Sequence, residues 1–372
     1  MSPTNGTRSF VSLLLVPLLG CGADPVGPNS DPGPDPAGLI ELLVLNSTGQ
    51  TLAGFDVGES VVASAGIPAI DLGAGFDGVT MDASLAYAVT TVSSFGGSRV
   101  LFADLSTGTV QTTLFPAPGG IDANPSRPTF DASGTVAFVA GRGSNTLYAA
   151  GPGDAEASPI ATNVGSFIER VIPIGIELFA LDAHLDDDGG TFAPLGPGRI
   201  FVVEAGVITA TISLPAGALN PIDMVRVGGR LLVLVGGTFD PVTFAPNGDG
   251  GIVAVDIGSR SAGNLVPLGG NGVAIESGAD GLVYVTSTTD FVTLDAQVLD
   301  PGSGPGPPVP LTIRDQSGAG VDCWVVTGLE DGRRICVTFS FASAGRLLLL
   351  DSAGSAIAEH PSGFGSTDVF IR

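Results

Sequence analysis

From residue 39 onward, short apolar runs of four to seven residues alternate with turns of Gly, Pro, Asp and Ser. The runs are rich in β-branched residues. Gly and Pro interrupt the chain too often for apolar side chains to recur at helical spacing over ten or more positions. This pattern predicts an all-β protein.

The runs are periodic. A short apolar run, a tight turn and a second run recur as LLVLNSTGQT from Leu42, LFADLSTGTV from Leu101, LYAAGPGDAE from Leu147, IFVVEAGVIT from Ile200, IVAVDIGSRS from Ile252, FVTLDAQVLD from Phe291 and LLLLDSAGSA from Leu347. Read as seven hairpins, they are spaced about 51 residues apart on average, near a propeller blade period. A second pattern precedes six of them, a turn leading into a strand: MDASLAYAVT from Met81, FDASGTVAFVA from Phe130, ESGADGLVYVT from Glu276. Two strands there and two in the hairpin make a four-stranded antiparallel blade, and blades set in a ring make a β-propeller over residues 39–372. Seven blades fit best. The first hairpin lacks inner strands of its own, and Thr367–Arg372 supplies one spare strand where two are wanted. Six blades with a disulfide-bonded β module over 320–372 is therefore the alternative to a disulfide-bonded last blade.

The segment from Asn124 to Tyr148, NPSRPTFDASGTVAFVAGRGSNTLY, resembles the YVTN-type bacterial β-propeller repeat. The likeness lies in its proline-rich entry, Asp-x-x-Gly turn, aromatic strand and Ser-Asn-Thr hairpin. Tyr87-Ala-Val-Thr90 and Val283-Tyr-Val-Thr286 echo the strand, whereas residues 170–260 depart from it. The resemblance covers about half the body. It implies the fold and places seven-bladed lactonases and quinoprotein dehydrogenases nearby; propellers host many unrelated functions. The quinoprotein repeats are rich in Trp, and this chain has one Trp.

The N-terminus carries Arg8, then an apolar run from Phe10 to Leu19 that is too short for a membrane span, which needs roughly 20 residues. It has the form of a signal-peptide core, residues 1–20, closed by the small Gly20. Leu18-Leu19-Gly20-Cys21 resembles the bacterial lipobox, in which the cysteine thiol accepts a diacylglycerol and becomes the new N-terminus. Residues 22–38, GADPVGPNSDPGPDPAG, offer nothing to bury, so residues 21–38 read as a lipidated Cys21 followed by a solvated tether. The expected location is the bacterial cell envelope, with the protein anchored through Cys21. Gly22 after the cysteine, where an Asp would signal inner-membrane retention, points to the outer membrane.

Charge narrows the class of partner. The chain has 14 basic residues, all arginine, against 37 acidic ones, for a net charge of −23. Nucleic acid and anionic surfaces require clustered positive charge, so no nucleic-acid partner is expected. Hydrophobic residues make up 44% of the chain, enough for a substantial core.

With Cys21 lipidated, Cys323 and Cys336 remain, and an even pair in an exported protein predicts a disulfide. If Val326 faces Arg333 across the turn at 327–332, the same register sets Cys323 opposite Cys336. The alternative is two buried free thiols.

Two loops stand out. His184 to Gly198 and Gly237 to Gly251 are long insertions that share Thr-Phe-Ala-Pro, at 191–194 and 243–246. Their spacing of 52 residues is one blade period, which places both between the second and third strands of their blades, at one face of the ring. Phe192, Phe244 and His184 are candidate binding residues there. Asp186, Asp188, Asp240 and Asp249 are candidate ligands for calcium, although the full EF-hand spacing is missing. The alternative is that the Phe-Ala-Pro segments only pin each loop to its own blade.

Motifs of nucleophilic, zinc or phosphate chemistry are missing. The leading functional expectation is a non-catalytic binding or scaffold module for a protein or glycan ligand. The alternative is a metal-assisted, lactonase-like hydrolase of the envelope, for which Arg127, Arg170, Glu169 and Arg226 lie near blade entries. A cluster of Arg, Glu and His in the channel would favour the enzyme; a channel lined by Gly, Ala, Val and Thr would favour the scaffold.

Overall fold

The computed structural model describes residues 39–93, 97–116, 122–186, 192–302, 306–340 and 343–372. The signal segment, Cys21, the tether and Asp188 lie outside them. The described residues form strands and turns with no helix, and seven four-stranded antiparallel blades make a ring. A short strand, Ile70–Asp71, is added beside the first blade, and a two-stranded ribbon, Leu185–Asp186 with Ala193–Pro194, stands in a loop of the fourth.

Blade 1 contains both ends of the ring. Its innermost strand is Ser366–Ile371, followed outward by Ile40–Asn46, Thr51–Val57 and Val61–Ala63. One C-terminal strand therefore closes the ring, and the expectation that two were needed is corrected. The first hairpin occupies the second and third places of its blade, and Val61–Ala63 fills the fourth. The segment 320–372 is not a separate module: it supplies blade 7 and the closing strand.

Blades 2 to 7 follow in chain order, each from the channel outward. Their innermost strands are Met81–Ala83, Thr129–Phe130, Ile168–Ile174, Pro221–Val227, Asn271–Ser277 and Val325–Gly328. FVTLDAQVLD is not a hairpin. Phe291 lies in a loop, and Leu294–Leu299 is a single strand, the third of blade 6. A run of mixed apolar and polar residues does not reveal where strand pairing begins.

The apolar runs are continuous because each blade is covered on both faces. Side chains alternate along a strand, so Leu42 and Val44 pack toward blade 7 while Leu43 and Leu45 pack toward blade 2. Among the described residues the buried apolar side chains form seven such clusters, one between each pair of neighbouring blades.

Cys323 and Cys336 form the disulfide, with Cα atoms 5.6 Å apart. The expected register is wrong by three residues: Cys336 faces Val326, and Arg334, not Arg333, begins its strand opposite Gly328. Cys323 lies just before the innermost strand. The bridge thus ties the entry of blade 7 to its second strand; it is not a facing pair. The turn needs Gly332 in a left-handed conformation (φ 83°), which lengthens it beyond the simple hairpin assumed.

Candidate functional site

Antiparallel order sends the loops between second and third strands to the same end of the ring as the blade entries. Three successive blades carry a phenylalanine in that loop with a left-handed backbone: Phe192 (φ 50°), Phe244 (φ 59°) and Phe291 (φ 63°). This conformation is unfavourable for a bulky residue and is held only where surrounding contacts impose it.

In blades 5 and 6 a carboxylate braces the turn beside the phenylalanine. Asp240 Oδ1 accepts hydrogen bonds from the amides of Val242 and Thr243 at 2.9 and 2.7 Å, and from the Thr243 hydroxyl at 2.9 Å. Asp290 does the same for Val292 and Thr293, at 2.8 and 2.7 Å. These donors, the threonine amide first, hold both carboxyls below the usual aspartate range. Asp249 binds the amide and hydroxyl of Thr238, each at 2.7 Å. In blade 4, Asp182 accepts the amides of Phe167 and His184 and pairs with Arg199, fixing the loop at its root.

The three phenylalanines line one recess of about 490 Å³, together with Phe239, Leu185, Pro194 and Pro241. Phe192, Phe239, Phe244 and Phe291 are 53, 40, 70 and 60% exposed, far above a typical buried aromatic. Phe239 and Phe291 stack with centroids 5.6 Å apart and planes 11° apart. The structure thus brings Phe192 and Phe244 together, and Asp240 joins them on the lining. Asp249 supports the second loop from behind, and Asp186 lies in the ribbon, its carbonyl accepting from the Phe192 amide. His184 does not line the recess; its Nδ1 is 3.1 Å from the Pro197 carbonyl oxygen. Among the described residues, no three His, Cys, Asp or Glu are grouped as metal ligands.

Phe239 and Phe291 were missed. A signal existed, because Asp240-Pro-Val-Thr and Asp290-Phe-Val-Thr share the Asp-x-Val-Thr that caps both loops. The aromatic shifts place within the motif, which hides the correspondence.

The channel is the second site. Its walls are charged, not lined by Gly, Ala, Val and Thr alone. Arg127 and Arg170 both reach the fully buried Asp223, at 2.9 and 2.7 Å. Toward the loop end, Ser126, Arg127, Arg142, Glu169 and Asp77 surround a chamber of about 200 Å³. Arg142 pairs there with Glu169 and covers the Phe167 ring, which meets Phe192 edge-on at 5.6 Å. Phe167 therefore touches one side chain of each, Arg142 of this chamber and Phe192 of the recess. The Ser126 hydroxyl is buried without a partner among the described residues. A second chamber of about 200 Å³ lies beyond Arg127, with Asp82, Glu276 and Asp368 on its walls and Arg226 exposed at its rim. Neither histidine lines either chamber; His360 packs against Phe55 on an outer strand.

No family model and no curated protein matches the sequence. Solved structures do. A candidate 6-phosphogluconolactonase from Bacteroides fragilis superposes with a TM-score of 0.61 at 10% identity, over 92% of this chain and 100% of its own. The periplasmic gluconolactonase of Pseudomonas aeruginosa gives 0.59 at 14%, over 90 and 99%. PorZ, a surface component of the type-IX secretion system of Porphyromonas gingivalis, gives 0.50 at 13%, over 82% of this chain and 44% of its own. At such identities the likeness is one of fold: this chain is a seven-bladed β-propeller built like lactonase-type propellers.

Proposed function

We propose that the protein is an envelope-anchored binding propeller, held by a lipid on Cys21, whose loop-end recess takes apolar side chains of a protein segment with basic residues beside them. One observation carries this reading. Four exposed phenylalanines surround the recess, while its polar neighbours are already bonded within the protein: Asn220 to Gly237, Thr238 to Asp249, Asp240 to its own loop. A glycan needs hydrogen-bonding groups aimed outward, whereas apolar side chains need only the ring faces. Asp240 lines the recess and no arginine among the described residues does, which favours Lys or Arg on the partner.

Selection of displayed peptides on the immobilised protein tests it. The expected peptides combine Leu, Phe or Trp with Lys or Arg, and Phe244→Ala with Phe291→Ala weakens them by roughly tenfold or more, as loss of aromatic anchors does. Equal binding to that double variant overturns the reading.

Hydrolysis of a lactone is the second reading, favoured by the loop-end chamber where the unpartnered Ser126 hydroxyl meets Arg127 and Glu169, and by the lactonase names of similar structures. Acid release from δ-gluconolactone, followed at constant pH with and without Glu169→Gln, tests it. A rate no greater than the spontaneous one rejects that substrate.

A further inference from the structure

The chamber at the loop end of the channel is walled by side chains that are held in place yet keep hydrogen-bonding positions unused. Ser126 is 3% exposed and lines it. The Ser126 amide donates to the Ala140 carbonyl at 2.8 Å, and its carbonyl accepts the Thr91 hydroxyl at 2.9 Å, so its backbone is fixed from both sides. Its own hydroxyl has no partner among the described residues. A buried hydroxyl in that state is costly, and a ligand group that bonds to it removes the cost. Arg142 places Nε and Nη2 on one Glu169 oxygen, Oε2, with Nε at 3.0 Å. Glu169 Oε1 and Arg142 Nη1 make no hydrogen bond among the described residues. Both residues line the same chamber.

Charge decides the class of ligand. The lining carries two guanidiniums, Arg127 and Arg142, and two carboxylates, Asp77 and Glu169. Asp223 and Arg170 behind it add one charge of each sign. A charged ligand would be attracted by one set and repelled by the other, whereas an uncharged one can bond to both. The unused positions are a donor on Arg142, an acceptor on Glu169 and the Ser126 hydroxyl, which is either. Hydroxyl groups on neighbouring carbons answer each of them, since every one both donates and accepts. Val79, Pro125 and Ile222 complete the lining with an apolar surface for C–H groups. At about 200 Å³ the chamber is smaller than a pocket for a drug-sized molecule, which limits it to one sugar ring or a short polyol chain.

We propose that this chamber binds one uncharged sugar residue or polyol without hydrolysing it, neighbouring hydroxyls bridging Ser126, Glu169 and Arg142 and the C–H face lying on Pro125 and Ile222. The inference goes beyond the lactone reading: the ligand has no acyl group, and its binding stands if no lactone is cleaved. It is also independent of what the phenylalanine recess takes.

Calorimetry of the full protein with D-glucose, D-galactose, D-mannose and their alditols tests it. At least one should bind saturably at millimolar concentration, where sugars do not yet act as general osmolytes. Hexane-1,6-diol, which keeps the carbon chain and lacks the inner hydroxyls, should not bind. The matching aldonate should bind more weakly than the alditol, because its carboxylate meets Asp77 and Glu169. Ser126→Ala should weaken binding roughly three- to tenfold, the effect of losing one hydrogen bond, and leave the ligand-free protein as stable or more so. The methyl glycoside identifies the source: binding equal to that of the free sugar assigns the end of a glycan, and its loss assigns a free sugar. The proposal is overturned by no saturable binding of any of these sugars or alditols, by tighter binding of the aldonate, or by equal binding in Ser126→Ala. If that variant does not fold, the wild type decides: hexanediol binding as tightly as the alditol refutes the proposal. Acid release from a lactone without sugar binding would leave the lactone reading standing and this one refuted.

Discussion

The Asp368 carboxylate accepts the backbone amide of Met81 at 2.8 Å, joining residues 287 apart in the chain. Asp368 belongs to the strand that closes blade 1, and Met81 opens blade 2, so this buried bond sits where the ring is sealed. Asp82 repeats the device one blade on, accepting the Phe130 amide at 2.7 Å. The inner strands are thus linked by carboxylates that gain amide donors but lose solvation.

Deleting Ser366–Arg372 should cost several kcal/mol, more than a typical point substitution. It removes the partner of Ile40–Asn46, exposes that strand as an inner edge and uncovers Leu42 and Val44. Urea denaturation should show a broadened or absent cooperative transition. An unchanged midpoint would mean that the ring is not sealed by this strand.

Reduction of Cys323–Cys336, or Cys336→Ser, should destabilise the protein by about 3 kcal/mol, the value for a short closed loop. The loss should appear as a lower melting temperature in dithiothreitol, and dithiothreitol should not affect a variant that already lacks the bridge.

Stability should fall as pH rises through the interval set by Asp368. Its folded pKa, about 6, lies above the unfolded value of 3.8, so the folded state binds its proton more tightly. The stabilising contribution is complete below 3.8, declines between 3.8 and 6, and is absent above 6; a rise of that size corresponds to about 3 kcal/mol. Glu276, raised in the same direction, adds to this trend. Chemical denaturation at pH 4.5 and 7.5 measures it, and Glu276→Gln should flatten the difference.

Calcium removal should leave the melting temperature unchanged, because Asp240 and Asp249 already hold their loops through amide and hydroxyl donors. A fall on chelation would transfer the metal to the first loop, at Asp186 and Asp188.

Cys21→Ser should release the protein from membranes into the soluble fraction, since the single chemical change removes the acyl acceptor. Retention with the membrane pellet would remove lipidation from the proposed anchor.

Local sequence determined the strands, the all-β class and the blade period, because these depend on neighbours within about ten residues: Gly and Pro forbid helices, and apolar runs between turns favour strands. It also determined which cysteines pair, since only Cys323 and Cys336 remain once Cys21 is set aside, and which two loops share a face, which follows from counting along the repeat. Tertiary structure decided the rest. Leu42 and Leu43 look alike in sequence, yet side-chain alternation sends them into different cores, one against blade 7 and one against blade 2. Ring closure by a single strand, the three-residue error in the disulfide register, the entry of Phe239 and Phe291 into the recess, and the meeting of Asp82, Glu276 and Asp368 in one chamber were not legible along the chain. The recess and the chamber join residues from different blades. Such contacts depend on how far each blade is rotated about the channel, and no stretch of a single blade encodes that angle.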